Sequence, residues 1–342
     1  MKIAVDVMGT DYGPQEIILG ALEAVKKFDC EVVLVGAEAV IKEWLQKYGA
    51  LDNKKIIIRN ATQVIGMQEQ PALAVRNKKD ASIVVASKML RSKECDALVS
   101  AGSTGAASVA AVICVGRIKG VERPAIATAI PNLKGKTTVV LDSGSIVDAK
   151  PLNMVQSAIM GSVYAEKILR LTKPKVGLLN VGEEEGKGNE QALAAYPLLK
   201  STKEIAFMGN VEGRDIPTGK VDVVVCDGFV GNIVLKFAEG FAKSLLTMIK
   251  NAILNGGLFA KLGGLLIKPA MAKLKKQMDP AEYGGALLLG IKAPFIICHG
   301  SSKAKAITNA IGVAIEFAKN NVVDIISEKI SEAEKRNEEL EQ

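Results

Sequence analysis

Apolar positions along the chain fall into two rhythms. Short β-branched runs occur at Ile3–Val7, Val32–Val35, Lys55–Ile58, Ala97–Ser100, Ala125–Ile130, Thr137–Leu141, Val176–Asn180, Glu204–Met208, Val221–Val225 and Phe295–Cys298. Between them lie longer stretches with apolar residues at helical spacing, clearest at Pro14–Lys27, Ala39–Lys47, Ala81–Ser92, Thr104–Gly116, Met154–Arg170 and Lys303–Asn320. This alternation predicts repeated βα units around a mostly parallel sheet. Most of the strand runs end at Gly, Asn, Asp or Ser, where the ligand-facing turns of such sheets belong.

One region breaks the rhythm. From Ile233 to Met278 no strand pattern occurs. Val234, Phe237, Ala238, Phe241, Leu245, Met248, Ile249 and Ala252 follow helical spacing, and Asn255-Gly256-Gly257 then interrupts them. Leu258, Phe259, Leu262, Leu265 and Leu266 come next, punctuated by Gly263-Gly264 and Pro269. The pattern predicts a helical hairpin with an apolar, glycine-rich tip. Its charge is one-sided: eight lysines against the single acid Glu239, an excess equal to the +7 of the whole chain. The basicity is therefore local. Lys250, Lys261 and Lys268 surround Leu258, Phe259 and Leu262, a combination suited to peripheral contact with an anionic membrane. The same residues would also serve to pack the hairpin against its twin in a dimer. No repeat or linker divides the chain, which reads as one α/β domain over 1–326 containing the 233–278 hairpin, followed by a charged C-terminal tail over 327–342.

Composition narrows the classes. Aromatics make up 4% and glycines number 32, a balance that suits tight strand-to-helix turns and excludes a base-stacking nucleic-acid binder. The five cysteines are scattered without a CxxC pair, which points to a reduced, cytoplasmic setting rather than a disulfide framework or zinc site. The opening Met1-Lys2-Ile3-Ala4-Val5 reads as a first strand with no signal peptide ahead of it. Ala97–Gly116 lacks charge, but Ser100 and Gly102-Ser103-Thr104-Gly105 split it into strand, turn and helix, each too short to span a bilayer.

The candidate chemistry lies in a series of turns. Ser100–Ala106 joins a strand end to a helix start; Gly102 and Gly105 let backbone approach an anion, and Ser103, Thr104 and the first helical amides donate to it. A helix start capped for close packing would use the same residues. Asn180–Asn189 sets Lys187 between Gly186 and Gly188 after three acids. A lysine so placed acts as a point charge on phosphate or on a developing oxyanion; the alternative is a solvated loop of paired charges. Phe207–Asp215 presents Asn210 and Glu212, and Asp227–Asn232 presents Asn232. Cys298–Ser302 holds His299, the only histidine and so the candidate acid or base, or else a hydrogen-bonded structural residue. GxSxG is absent, and Cys298 and His299, adjacent on a strand, point to opposite faces. No HExxH, paired cysteines or Asp-rich loop suggests a metal.

Together these residues resemble the bacterial acyl-acyl-carrier-protein:phosphate acyltransferase family. The likeness runs from Met1 to about Asn320 and includes Asp6–Pro14, Ser100–Ala106, Asn180–Glu184, Lys187–Asn189, Gly209–Asp215, Asp227–Lys236, Tyr283–Ala286 and His299–Ser302. The chain departs from the family at Thr10, where a second glycine is usual, and at Asp142-Ser143-Gly144-Ser145-Ile146, where Asp-Val-Gly-Ala-Asn is usual. The resemblance implies a three-layer α/β/α fold like that of phosphotransacetylases and the isocitrate/isopropylmalate dehydrogenases. It implies reversible transfer of a fatty acyl group from acyl carrier protein to inorganic phosphate, without a cofactor, for phospholipid synthesis. It also implies a homodimer held peripherally on the inner face of the membrane, handing acyl-phosphate to a membrane acyl-phosphate:glycerol-3-phosphate acyltransferase. On this reading Lys187, Asn232 and His299 are catalytic. Asp6, Gly9, Gly102, Ser103, Thr104, Gly105, Asn189, Asn210 and Glu212 bind phosphate or acyl substrate.

The absence of a triad fits such chemistry. Phosphate is already anionic, and a thiol with a pKa near 8.5 leaves without strong acid help. What remains is to hold two anions in line and stabilise an oxyanion, a task these turns would share in one site. A decarboxylating dehydrogenase of similar fold would need an aspartate cluster and a nucleotide site, and neither pattern occurs. A nonenzymatic membrane scaffold would leave the charge-dense glycine turns unexplained.

Overall fold

The computed structural model describes residues 1–341. Its strands are β1 (Lys2–Asp6), β2 (Glu31–Gly36), β3 (Ile56–Asn60), β4 (Ala97–Ser100), β5 (Ala125–Pro131), β6 (Thr137–Leu141), β7 (Lys175–Leu179), β8 (Ala206–Val211), β9 (Val223–Val225), β10 (Ala286–Leu289) and β11 (Phe295–Ile297). The helices are α1 (Pro14–Lys27), α2 (Glu38–Lys47), α3 (Pro71–Asn77), α4 (Ser82–Arg91), α5 (Thr104–Ala110), α6 (Pro151–Lys167), α7 (Glu190–Ser201), α8 (Gly228–Asn255), α9 (Leu258–Gln277), α10 (Ala304–Lys319) and α11 (Val322–Glu341). All the strands join one sheet, in the order β3-β2-β1-β4-β11-β10-β5-β6-β9-β7-β8.

Strands buried on both faces, such as Ala97–Ser100 in β4, read as unbroken apolar runs because helices cover the sheet above and below. One face packs Ile3, Val5, Val139 and Leu141 against α1, α6, α10 and α11. On the other, Ala4 and Leu98 meet α4 and α5. The far half of that second face, around Val140 and Val224, is covered only by Ile216, Val221 and the first turns of α8. The sheet is mostly parallel and the fold is α/β, in layers of helix, sheet and helix.

Strand direction is what positions the candidate residues. β3, β2, β1, β4 and β11 run the same way. β10 is antiparallel to both β11 and β5, which returns β5 to the direction of β1. β5 is then antiparallel to β6, and β9, β7 and β8 follow β6. β6, β9, β7 and β8 therefore run opposite to β1, β4 and β11, and the carboxyl ends of β4, β11 and β6 reach the level of Ala127–Thr128 on β5. β5 is the seam: Ala125–Ala127 pair with β10, and Thr128–Pro131 pair with β6.

Several elements differ from the sequence reading. β10, Ala-Leu-Leu-Leu, has a helix former's composition and is a strand because β5 and β11 flank it. The helix expected over Thr104–Gly116 turns into a π-helical stretch at Ala111–Val115. The segment read as a charged tail is helical from Val322 to Glu341, with Ile326 and Ile330 buried one turn apart in the core; Gln342 lies outside the described residues. α9 continues unbroken through Gly263-Gly264 and Pro269, antiparallel to α8. No helix among the described residues is long and apolar enough to cross a membrane.

Candidate active site

At the edge formed by the ends of β1, β4 and β11, the buried Asp6 carboxylate is the organising group. It accepts from the Ser100 hydroxyl at 2.8 Å and from the Met8 N–H at 3.3 Å, and the Ser100 oxygen accepts from the Gly102 N–H at 3.3 Å. Burial raises the Asp6 pKa above the usual carboxylate value, against the lowering effect of hydrogen bonds from Ser82 and Ser100. A cavity of about 10 Å³ lies beside it, lined by Asp6, Met8, Ser82, Ser100, Gly102 and Ser103, with room for about one water. Gly9 holds φ +79°, and a Cβ there would come within 3.2 Å of the Ile65 carbonyl, so the loop after β1 crosses this edge on a glycine. Ser103 caps α5 by accepting from the Ala106 N–H, leaving Thr104 exposed and Gly105 half-buried in the first turn.

His299 joins this edge from the end of β11. Its exposed ring accepts from the Ser301 N–H at Nδ1, with the Ser301 hydroxyl 2.7 Å from the same nitrogen. A backbone donor at Nδ1 leaves Nε2 to carry the proton and to face solvent. Gly300 is packed close to Asp11, whose N–H donates to the Gly300 carbonyl. The neighbouring Cys298 is buried, which pushes its thiol up to about 12, so no thiolate stands beside His299.

The turns after β6, β9, β7 and β8 form a second group. Asp142 accepts from the N–H groups of Ile126, Gly144, Ser145 and Ile146, fixing the turn where the family's usual sequence is altered. A Cβ on Gly231 would stand 1.9 Å from the Asp142 carbonyl, so this contact admits only glycine. Asp227 caps α8 through the Val230 N–H at 2.9 Å. The next exposed position is Asn232, against Gly144.

Lys187 lies in the loop after β7, held by the Asn180 amide, which donates to the Lys187 carbonyl at 2.8 Å. Two acids of the loop are already paired, Glu183 with Lys220 and Glu185 with Lys200, each at 2.6 Å. Among the described residues Lys187 has no ion-pair partner, and its ammonium is left to solvent. Asn189 caps α7 through the Ala192 N–H. Asn210, 4% exposed, donates to the Glu184 carbonyl at 2.7 Å, while its buried Oδ1 has no partner. Glu212 pairs with Arg214 at 2.5 Å.

The structure thus divides the candidate residues. Asp6, Gly9, Gly102–Gly105 and His299 end or follow β1, β4 and β11; Lys187, Asn189, Asn210, Glu212 and Asn232 end or follow β7, β8 and β9. The two sets of strands run antiparallel about the seam at β5, which strand periodicity does not reveal. Sequence reasoning also missed Ser82, whose only signal was its place at the start of an apolar helix, and Asp142, whose run stood out only as a departure.

Residues 1–325 match the sequence model of a family described as "Fatty acid synthesis protein". The chain is 53% identical to the phosphate acyltransferase of Desulfitobacterium hafniense (strain Y51) over 331 residues, covering 96% of this chain and 97% of that protein. It is 50% identical to the phosphate acyltransferase of Heliobacterium modesticaldum, covering 96% and 98%. Among solved structures, a phosphotransacetylase from Streptococcus pyogenes shares the fold at a TM-score of 0.63 and 16% identity, covering 93% of this chain and 94% of that one. The EutD phosphotransacetylase from Staphylococcus aureus does so at 0.62 with the same identity and coverage. This chain belongs to the fatty acid synthesis protein family, in which its relatives are phosphate acyltransferases.

Proposed function

We propose that this protein transfers a fatty acyl group from the thioester of acyl carrier protein to inorganic phosphate, reversibly, giving acyl-phosphate and free carrier thiol. A phosphate oxygen attacks the thioester carbonyl, a tetrahedral oxyanion forms and collapses, the C–S bond breaks, and sulfur leaves with the electron pair. The observation that carries this reading is Lys187, a cation without a carboxylate partner in a turn of this family. It supplies charge for phosphate or oxyanion, and Asn232 supplies an amide donor. The Nε2–H of His299 protonates the departing sulfur or orients phosphate. Cys30, Cys95, Cys114, Cys226 and Cys298 all have thiol pKa values raised by burial, which favours direct transfer over an acyl-cysteine intermediate.

The same reading has the lysines of α8 and α9 steer the acidic carrier by long-range attraction. It has the protein act as a homodimer and touch the inner membrane surface with Leu258, Phe259 and Leu262, delivering product to a membrane acyltransferase. The decisive assay mixes protein with acyl-loaded carrier protein and follows thiol release with and without phosphate, trapping acyl-phosphate as the hydroxamate. Lys187→Ala is expected to lower turnover at least tenfold, about 1.4 kcal/mol of transition-state stabilisation, with folding intact. Unchanged turnover across phosphate concentrations would remove Lys187 from the chemistry.

A further inference from the structure

We infer that Asn180 and Asn210 are positioning residues for Lys187, holding the two ends of the turn it occupies so that its ammonium stands at a fixed place. This rests on the reading of Lys187 as catalytic given above, and it moves Asn210 from contact with substrate to support of the lysine. Gly186 and Gly188 flank Lys187, and glycine gives up more conformational freedom on ordering than any other residue. The turn therefore does not hold its lysine unaided. The ion pairs Glu183–Lys220 and Glu185–Lys200 on the same loop are exposed, and pairs in water hold weakly. Fixing the lysine falls to the two amides.

Asn210 reaches the turn through an irregularity of β8. Val176 of β7 faces Phe207, but Leu178 faces Asn210, so Met208 and Gly209 together stand opposite Gly177. Gly209 takes φ +92°, a left-handed conformation open to glycine, and the pair forms a bulge. The extra residue reverses the alternation of side chains beyond it. Without it Asn210 would share the face of Val140 and Val224. With it Val211 takes that face, and Asn210 turns to the face where Leu178 and Phe207 meet α7. There its Nδ2 donates to the Glu184 carbonyl at 2.7 Å, the same oxygen that accepts from the Lys187 N–H at 3.1 Å. Asn180, directly after β7, is tied to β8 by its own N–H on the Val211 carbonyl at 2.8 Å. Its Nδ2 donates to the Lys187 carbonyl at 2.8 Å, and its Oδ1 accepts from the Val181 N–H at 2.8 Å. One asparagine thus holds the carbonyl that opens the Glu184–Lys187 turn, and the other holds the carbonyl that closes it. The lysine stem lies back over Gly182, where a Cβ would stand 3.3 Å from its Cγ. Bulges beside active sites re-aim side chains in this way, and a misplacement of about 1 Å in a catalytic group costs on the order of a hundredfold in rate.

A double-mutant cycle tests this. Asn180→Ala and Asn210→Ala each remove one amide without adding a charge near Lys187, and the Glu184 carbonyl keeps its bond from the Lys187 N–H. Each is expected to lower phosphate-dependent thiol release by roughly three- to tenfold. The KM for acyl-loaded carrier protein and the far-ultraviolet circular dichroism spectrum should stay those of the unaltered chain. In a Lys187→Ala chain either substitution is expected to cost nothing further, because residues that act through one group are not additive. The same fractional loss with and without the Lys187 side chain overturns the inference, since the asparagines would then act by another route. Unaltered turnover in both single variants, with Lys187→Ala impaired, overturns it too and leaves the catalytic reading of the lysine standing. Near-normal turnover in Lys187→Ala removes that reading, and the positioning role with it. Should the buried Asn210→Ala fail to fold, Asn180→Ala, at a half-buried position, decides by the same cycle.

Discussion

α10 and α8 both carry apolar ridges at helical spacing, and only one is covered by the chain's own fold. α10 buries Ala304, Ile307, Ile311, Ala314 and Ile315, most of them in the core shared with α1, where Gly20 lets the two backbones close to a distance no side chain would allow. α8, 28 residues long, buries only Gly228 and Gly231, leaving Phe237 69% exposed. Monomeric proteins rarely leave so large an apolar patch in water. Amphipathicity alone therefore does not say what a helix packs against. In α10 it completes the chain's own core; in α8 the same pattern stays exposed.

This contrast can be broken by substitution. The largest expected effect comes from Phe237→Glu with Phe241→Glu, which places two carboxylates on the ridge. On the proposed homodimer reading, sedimentation should then show a lower mass than for the unaltered chain at the same concentration, with the far-ultraviolet circular dichroism spectrum unchanged. A variant that stays dimeric would show that the ridge is not the interface. Next is Ile311→Ala in α10, expected to lose about 2–5 kcal/mol of stability in denaturant unfolding. Phe237→Ala, by contrast, should leave the stability of the monomer within about 0.5 kcal/mol. Equal losses at the two positions would erase the distinction.

Leu258→Glu with Phe259→Glu probes the far end of the hairpin, where Phe259 is 88% exposed. Each apolar side chain withdrawn from a membrane forfeits at most about 1.5–3 kcal/mol. Binding to anionic liposomes should therefore vanish while dimerisation and soluble turnover persist; unfolding of the variant would instead make the tip structural. The smallest expected effect is at Asp6. Burial raises its pKa in the folded state, so the folded chain holds that proton more tightly than the unfolded one. That contribution to stability is fully present below the unfolded carboxylate value and is lost as pH rises through the folded value. Thermal melts should accordingly show the native chain gaining on Asp6→Asn as pH falls. A difference independent of pH would mean that the carboxyl does not titrate across the transition.

Much of this was legible in the residues. The β-branched runs located ten of the strands to within a few positions, and lysines crowded around a glycine-broken apolar stretch foretold the hairpin. Lys187 stood out because glycines flank it. Three things were hidden, each for a physical reason. Leu287–Leu289 gain strand geometry only from their neighbours in the sheet. Ile326 and Ile330 are two apolar residues among charges, enough to seat a helix but too few to mark one. Strand direction leaves no trace in a period of two, so the reversal at β5 was invisible until the pairing was known.

The reversal at β5 also bears on how the chain emerges from the ribosome. The block beyond the seam, β6 to β9, is one uninterrupted stretch from Thr137 to Val225. The other block is built from both ends of the chain, since β4 finds its partner β11 only at Phe295–Ile297. At about 5–20 residues per second, the gap of roughly two hundred residues leaves the exposed side of β4 waiting some tens of seconds. The middle of the protein can finish folding while its amino-terminal strands still present an open edge. That open edge is where a chaperone would first be needed, and where truncation before residue 286 would do most harm.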